Sequence, residues 1–247
     1  MECALSKSSD GFTLVEISIV MMIIGLLIGG TFGGMKLVEI SEVSRTVRDL
    51  KAIDSGALTF KDTYGRLPGD IVSPSSRLPN CASGPCSRGG DGNRTIGLPG
   101  TTMQGEALTV SSEKFTMWSQ LVAAGLIDGP KNEDDMEFGA GQMASPIGGG
   151  YRLNGYMNNV VGNGRTTNRH TIYVTNIPSD ILSAANMADH RFIPCSTLRS
   201  IDVKMDDGMP RSGIVLTATE CQANVADPTS EYGNPSSLSS FLYLTKF

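Results

Sequence analysis

The segment GFTLVEISIVMMIIGLLIGG (residues 11–30) decides how the whole chain is interpreted. It opens a run that contains no charged residue from position 17 to position 35. A helix rises about 1.5 Å per residue, so this run nearly spans a hydrocarbon core of about 30 Å. The run therefore predicts a transmembrane helix at about 17–35. Glu16 stands directly before it, and an ionised carboxylate in hydrocarbon is costly unless it has a partner.

Gly11, Phe12 and Glu16, followed directly by the apolar run, resemble the cleavage and methylation signature of type IV prepilins and type II secretion pseudopilins. The resemblance implies that a prepilin peptidase/methyltransferase removes residues 1–11 as a leader and N-methylates the new terminus at Phe12. It also implies that Glu16 recruits the terminal amine of a neighbouring subunit during filament assembly. Each processed chain would offer the Phe12 amine as a donor and the Glu16 carboxylate as an acceptor at the edge of the apolar run. Pairing of these two groups between neighbouring chains favours docking in register.

Two other interpretations of the N-terminal segment compete with this one. A plain membrane anchor explains the length of the apolar run but leaves Glu16 without a role. A secretory signal peptide needs a positively charged start and a small-residue cleavage site after the run. Residues 1–11 contain one lysine against two acidic residues, and an A-x-A-like site is absent, although glycines lie near the end of the run.

Beyond the apolar run, the pattern becomes amphipathic without a break. Apolar side chains recur at spacings of three, four or seven, with charged residues largely between them, as expected for a helix with one buried face. The sequence predicts one helix over residues 12–64, followed by a turn at residues 67–70 (LPGD). The apolar positions are Val43, Val47, Leu50, Ala57, Phe60 and Tyr64.

The remaining residues, 65–247, are predicted to form one globular head. Most of the 29 glycines and 12 prolines lie here, so the head should be rich in loops, with an insertion-like loop over 71–105. A short helix should begin after Ser111 or Ser112 and stop at Gly125. Strands are expected at 171–175, 213–219 and 240–246. The predicted fold class is α+β and pilin-like, with a long N-terminal helix packed on an antiparallel β-sheet head.

The cysteines predict disulfides in the head. Cys3 leaves with the leader, and the other four cysteines lie in a domain expected outside the cytoplasm, where disulfides persist. Four cysteines permit three pairings, and proximity in the sequence favours Cys81 with Cys86 and Cys195 with Cys221.

The run IDVKMDDGMP contains Asp202, Asp206 and Asp207 and has two interpretations. Carboxylates close in sequence can bind calcium, as a C-terminal loop does in some pseudopilins. The spacing of an EF-hand is absent, however, and Asp-Asp-Gly is a common tight-turn sequence, which is the favoured interpretation. No other cofactor is expected.

Composition and motifs exclude several functional classes. The formal charge is −5 and the basic residues are scattered, which argues against a nucleic-acid-binding face. The chain has two histidines, no G-x-S-x-G and no phosphate-binding loop, so no enzyme is predicted.

The expected function is structural, as a subunit of a type IV pilus or a pilus-like filament. The implied partners are other pilins in a homo- or hetero-polymer, an inner-membrane assembly platform, and membrane lipid before assembly. The precursor should cross the inner membrane once with its head in the periplasm, and later join a cell-surface or periplasmic filament. The alternatives are a type II secretion pseudopilin and a membrane-anchored extracytoplasmic binding protein that never polymerises.

Overall fold

The computed structural model describes residues 12–97, 108–161, 165–179, 189–227 and 229–247, without the side chains of 155–168. The predicted leader, including Gly11 and Cys3, lies outside these residues. The chain forms two compact units, Met1–Ser41 and Glu42–Phe247.

Helix α1 (Leu14–Tyr64) is continuous over 51 residues and contributes to both units. In the first unit, every side chain from position 12 to position 38 is exposed. By length and composition, α1 is long and apolar enough to cross a membrane. This is the exposure expected of a segment whose solvent is lipid rather than water.

In the second unit, one face of α1 is buried in the head. The buried positions follow the predicted spacing from Val43 to Phe60, and they also include Ile53, Asp54 and Gly56. Gly56 permits a close approach, because a Cβ there would lie 3.3 Å from Ile127 Cγ2.

The main sheet has four antiparallel strands in the order β1-β2-β6-β4. The hairpin of β1 (Gly150–Val161) and β2 (Arg165–Thr175) contains an irregularity between Asn154 and Met157. Strand β6 (Phe241–Leu244) pairs with β2 on one side and with β4 (Val215–Thr217) on the other. The three predicted strands lie at β2, β4 and β6, and β1 had not been predicted.

Among the described residues, the head also contains two shorter helices and a small sheet. Helix α2 (Glu113–Ala123) follows Ser112, as predicted, and Gly125 ends it with a φ of 69°. Helix α3 (Cys195–Met205) and the two-stranded sheet of β3 (Ile193–Pro194) and β5 (Leu238–Ser239) were not predicted.

The described part of the predicted insertion-like loop belongs to the core of the head. Short 3₁₀ turns lie at Pro74–Ser76 and Pro85–Ser87. Ile71, Leu78 and Ile96 are buried in the same cluster as Trp118 of α2. The segment is rich in loops, as predicted, and its few apolar residues anchor it in the core because Pro- and Gly-rich backbone can still carry buried side chains at intervals.

Candidate functional site: the start of the helix and two acidic clusters

Glu16 has a partner within its own chain at the start of α1. The backbone N–H and the hydroxyl of Thr13 both donate to Glu16 Oε2, each at 2.8 Å. In return, Glu16 N–H donates to Thr13 Oγ1 at 3.2 Å. This reciprocal arrangement is a capping box, with threonine at the N-cap and glutamate three residues later.

The capping box gives Glu16 a local role besides the one implied by the resemblance. It satisfies backbone donors that the first turn of a helix otherwise leaves unpaired. Phe12, the predicted new terminus, is 84% exposed just before the helix. The first unit thus presents its carboxylate and its predicted terminus at the same end of α1.

The Asp202 cluster, made of Asp202, Asp206 and Asp207, lies where α3 ends. One carboxylate oxygen from each residue lies within 4.8 Å of the others. The structure therefore brings the three predicted residues together.

The carboxylates of the Asp202 cluster accept hydrogen bonds that hold a turn. Asp202 Oδ1 accepts from Gly208 N–H at 3.2 Å and its Oδ2 accepts from Tyr232 OH at 2.9 Å. Asp206 accepts from the backbone leading into β4, and Asp207 accepts from Met209 N–H at 2.9 Å. This geometry favours the tight-turn interpretation, because the buried carboxylate already has a donor for each oxygen.

A second acidic cluster was not predicted. In the Glu113 cluster, made of Asp70, Asp91 and Glu113, one oxygen from each carboxylate again lies within 4.8 Å of the others. Asp70 ends the LPGD turn after α1, Asp91 lies in the following loop, and Glu113 is the first residue of α2.

Backbone hydrogen bonds draw the loop around Glu113. Its Oε1 accepts from Asp91 N–H at 2.9 Å and its Oε2 accepts from Gly97 N–H at 2.7 Å. Gly90 is needed for this approach, because a Cβ there would overlap Glu113 Oε1 and the Gly69 carbonyl oxygen. The Gly69 oxygen and the Glu113 carboxylate therefore converge on the same small region.

Electrostatics in the Glu113 cluster oppose full ionisation. Burial, together with the nearby charges of Asp91 and Asp70, raises the pKa of Glu113 to about 7 against the effect of its hydrogen bonds. Burial also raises the pKa of Asp70, although the Arg94 N–H donates to its Oδ2 at 2.9 Å.

The two clusters differ in how their buried aspartates are satisfied. Asp70 and Asp202 are both 0% exposed. Both oxygens of Asp202 accept hydrogen bonds, whereas Asp70 Oδ1 is buried and accepts none from the residues that the structure describes. A buried polar atom without a partner is uncommon in a folded protein and calls for an explanation.

The structure contains the two disulfides that proximity in the sequence favoured. Cys81 is bonded to Cys86 in the loop after α1. Cys195, the first residue of α3, is bonded to Cys221 across 26 positions. The second bond ties α3 to the segment that follows β4.

Sequence reasoning had a signal for the Glu113 cluster but did not connect its parts. Residues 67–70 and 91–93 (DGN) are each typical of turns, and Glu113 is typical of a helix start. Nothing local indicates that a turn, a loop and a helix meet. That juxtaposition depends on how the loop packs against α2.

One comparison with known proteins gives a match. The family model for the prokaryotic N-terminal methylation motif matches residues 6–32. Searches of curated proteins and of solved structures found no match.

Proposed function

Since residues 6–32 carry the type IV prepilin and pseudopilin signature, we propose that the chain is the precursor of a structural subunit of a type IV pilus or a pilus-like filament. The single observation that supports this most strongly is the motif at the start of a long helix whose first part is apolar and exposed. Families with this signature are structural rather than catalytic, and we infer the same for this chain.

The architecture supports a membrane-anchored precursor. The first unit is a helix with an apolar surface, and the second unit has its own core and two disulfides. Disulfides persist in oxidising compartments, which agrees with a head on the periplasmic side. The subunit would be stored in the inner membrane and drawn into a filament by an assembly platform.

Glu16 suggests how one subunit recognises the next. In the single chain, its carboxylate accepts two hydrogen bonds from the neutral donors of Thr13. After cleavage, the Phe12 amine of an incoming subunit would offer a charged donor, and charge-assisted hydrogen bonds are about twice as strong as neutral ones. The capping box would keep Glu16 satisfied in the membrane until that amine arrives.

Cleavage is tested by replacing Gly11 with leucine in the native host. We expect uncleaved precursor to accumulate in the membrane, because the peptidase must accommodate a small residue before the scissile bond. Mass spectrometry of the wild-type protein should give a chain that begins with N-methylated Phe12. A mature chain that begins after Gly29 would instead support a secretory signal peptide.

The role of Glu16 is tested by comparing Glu16→Ala with Thr13→Val, which removes the side-chain hydroxyl of the capping box but keeps the carboxylate. We expect Glu16→Ala to be cleaved and inserted but to be lost from sheared or pelleted filaments, whereas Thr13→Val still assembles. Equal loss in both variants would assign Glu16 to helix capping alone. Wild-type filament levels from Glu16→Ala would refute the pairing with Phe12.

The location of the polymer separates the proposed function from its alternatives. Mature subunit in filaments sheared from the cell surface supports a pilus. Filaments confined to the periplasm support a type II secretion pseudopilin. Mature subunit found only in the inner membrane, with no polymer, supports an anchored binding protein.

A further inference from the structure

The Glu113 cluster has the chemistry of a cation site in the head. We propose that Asp70, Asp91 and Glu113 bind a divalent cation, and that this cation is calcium. The argument needs only the fold of residues 42–247, so it stands apart from the proposed function in filament assembly.

The first argument is charge. One oxygen from each carboxylate lies within 4.8 Å of the others. The ion pairs among the residues that the structure describes involve none of the three carboxylates. Arg66 is close, but its guanidinium donates to the carbonyl oxygen of Gly92 rather than to a carboxylate. A bound cation would remove the mutual repulsion that remains.

The second argument is the unpartnered oxygen of Asp70. This residue is 0% exposed, and its Oδ2 accepts from Arg94 N–H, while no described donor meets hydrogen-bond geometry at its Oδ1. The Gly92 N–H is close enough to the carboxylate to lower the pKa of Asp70, but it does not fill that position. A buried carboxylate oxygen without a donor loses its hydration and gains nothing in return. A cation bound between the three carboxylates would supply the missing partner.

The ligand types select the ion. The cluster contains oxygen donors and no histidine or cysteine, which disfavours zinc. The backbone oxygen of Gly69 and Glu113 Oε1 both lie within 2.4 Å of the position that a Cβ on Gly90 would take, and calcium accepts mixed carboxylate and carbonyl ligands in irregular geometry. Magnesium demands a nearly regular octahedron and retains several waters, so it fits these ligands less well.

The Asp202 cluster provides a natural control. It contains three carboxylates that also lie within 4.8 Å of one another, and an equally buried aspartate. Both oxygens of Asp202 already accept hydrogen bonds from Gly208 and Tyr232. Acidic residues alone therefore do not distinguish the clusters, whereas the unpartnered Asp70 oxygen does.

A cation at the Glu113 cluster would join three segments that are distant in sequence. It would link the turn after α1, the loop that carries Asp91, and the first residue of α2. Calcium would therefore stabilise the side of the head where the long loop packs against α2.

The test uses the purified full-length chain in detergent micelles, with calcium chloride as the only added ligand after treatment with EDTA. Calorimetric titration should give one site with a Kd of about 10⁻⁴ to 10⁻³ M, the range of extracellular calcium modules. The fluorescence of Trp118, the single tryptophan and a buried residue of α2, reports melting of the head. Calcium at 10 mM should raise the melting temperature by roughly 3 to 10 °C.

Asp91→Asn is the main variant, because Asp91 is exposed and asparagine keeps the Oδ1 that accepts from Asn93 N–H at 2.9 Å. We expect calcium affinity to fall at least tenfold, while the melting temperature in EDTA stays equal or rises because repulsion is reduced. Glu113→Gln should lose the calcium response as well. Asp207→Asn in the Asp202 cluster should bind calcium like the wild type.

Several results would overturn the proposal. One is the absence of calcium binding to the wild type at 10 mM, and another is wild-type affinity in Asp91→Asn. Loss of binding in Asp207→Asn but not in Asp91→Asn would move the site to the Asp202 cluster. Magnesium binding as tight as calcium binding would refute the choice of ion.

Discussion

Helix α1 passes through two different environments without changing its secondary structure. In the first unit, Leu26 and Phe32 are 72% and 67% exposed, whereas Leu50 and Phe60 in the second unit are 0% exposed. Both stretches are helical and both carry large apolar side chains. The comparison teaches that apolar residues on one helix differ in their surroundings: those in the first unit stay exposed, as fits a membrane anchor, and those in the second unit anchor the head.

The largest expected effect comes from the same substitution made in each stretch. Phe60→Ala should lower the free energy of unfolding of the head by about 3 to 5 kcal/mol, because it leaves a cavity in the core. For a unit of this size, the melting temperature followed by Trp118 fluorescence should drop by roughly 6 to 20 °C. Phe32→Ala should change it by less than about 2 °C. A comparable drop from Phe32→Ala would mean that the first unit contributes to the stability of the head.

The disulfides sharpen the comparison because both lie in the second unit. Replacing Cys195 and Cys221 with serine opens a loop of 26 positions, which the chain-entropy model values at about 3 to 4 kcal/mol. Replacing Cys81 and Cys86, only 5 positions apart, should cost about 2 kcal/mol. Thermal melts of the two double variants test this order, and a larger loss from the shorter loop would contradict the model.

Polar contacts should also stabilise the protein more where they are buried, in the second unit, than where they are exposed, in the first. Asp54 of α1 is buried and accepts hydrogen bonds from Tyr243 OH and, at 3.0 Å, from Lys246 N–H. Tyr243→Phe leaves that carboxylate short of a donor and should destabilise the head by about 1 to 3 kcal/mol. Glu39→Gln, which breaks the exposed pair of Glu39 with Lys36, should cost less than about 1 kcal/mol. Equal losses in denaturant titrations would show that burial does not set the difference.

A further expected effect is a pH dependence of the head, since residues 17–35 carry no titratable side chain. Burial raises the pKa of Asp202 from its ordinary value of 3.8 to about 7, although Tyr232 and Gly208 donate to it. Between these values the folded chain holds a proton that the unfolded chain releases. The free energy of unfolding should therefore fall as the pH rises from about 4 to about 7.

Asp202→Asn should flatten this fall, because the amide does not titrate. Melting temperatures measured in EDTA at pH 4 to 8 test the effect. The melting temperature of the variant will still fall somewhat as the pH rises. The pKa of Glu113 is also raised to about 7, so loss of its proton destabilises the folded chain in the same way. An unchanged slope in Asp202→Asn would show that Asp202 is ionised throughout this range.

The sequence by itself determined the features that depend on neighbours along the chain. The apolar run, the amphipathic spacing after it, the turn at 67–70 and the limits of α2 all follow from periods and turn residues within a few positions. The methylation motif is equally local. Proximity in the sequence also indicated the two disulfides, because short loops close more readily than long ones.

Tertiary structure alone decided what meets across long separations. Asp54 is a charged residue in a helical pattern, and its burial makes sense only because Tyr243, 189 positions later, donates to it. Strand β1 and helix α3 were missed because packing against the rest of the head, rather than strong local propensity, defines them. The Glu113 cluster assembles from a turn, a loop and a helix start, and the unpartnered oxygen of Asp70 arises only when all three are packed together. The periodicity of the sequence cannot predict this cluster, because the contacts that stabilise it join segments that are far apart in the sequence.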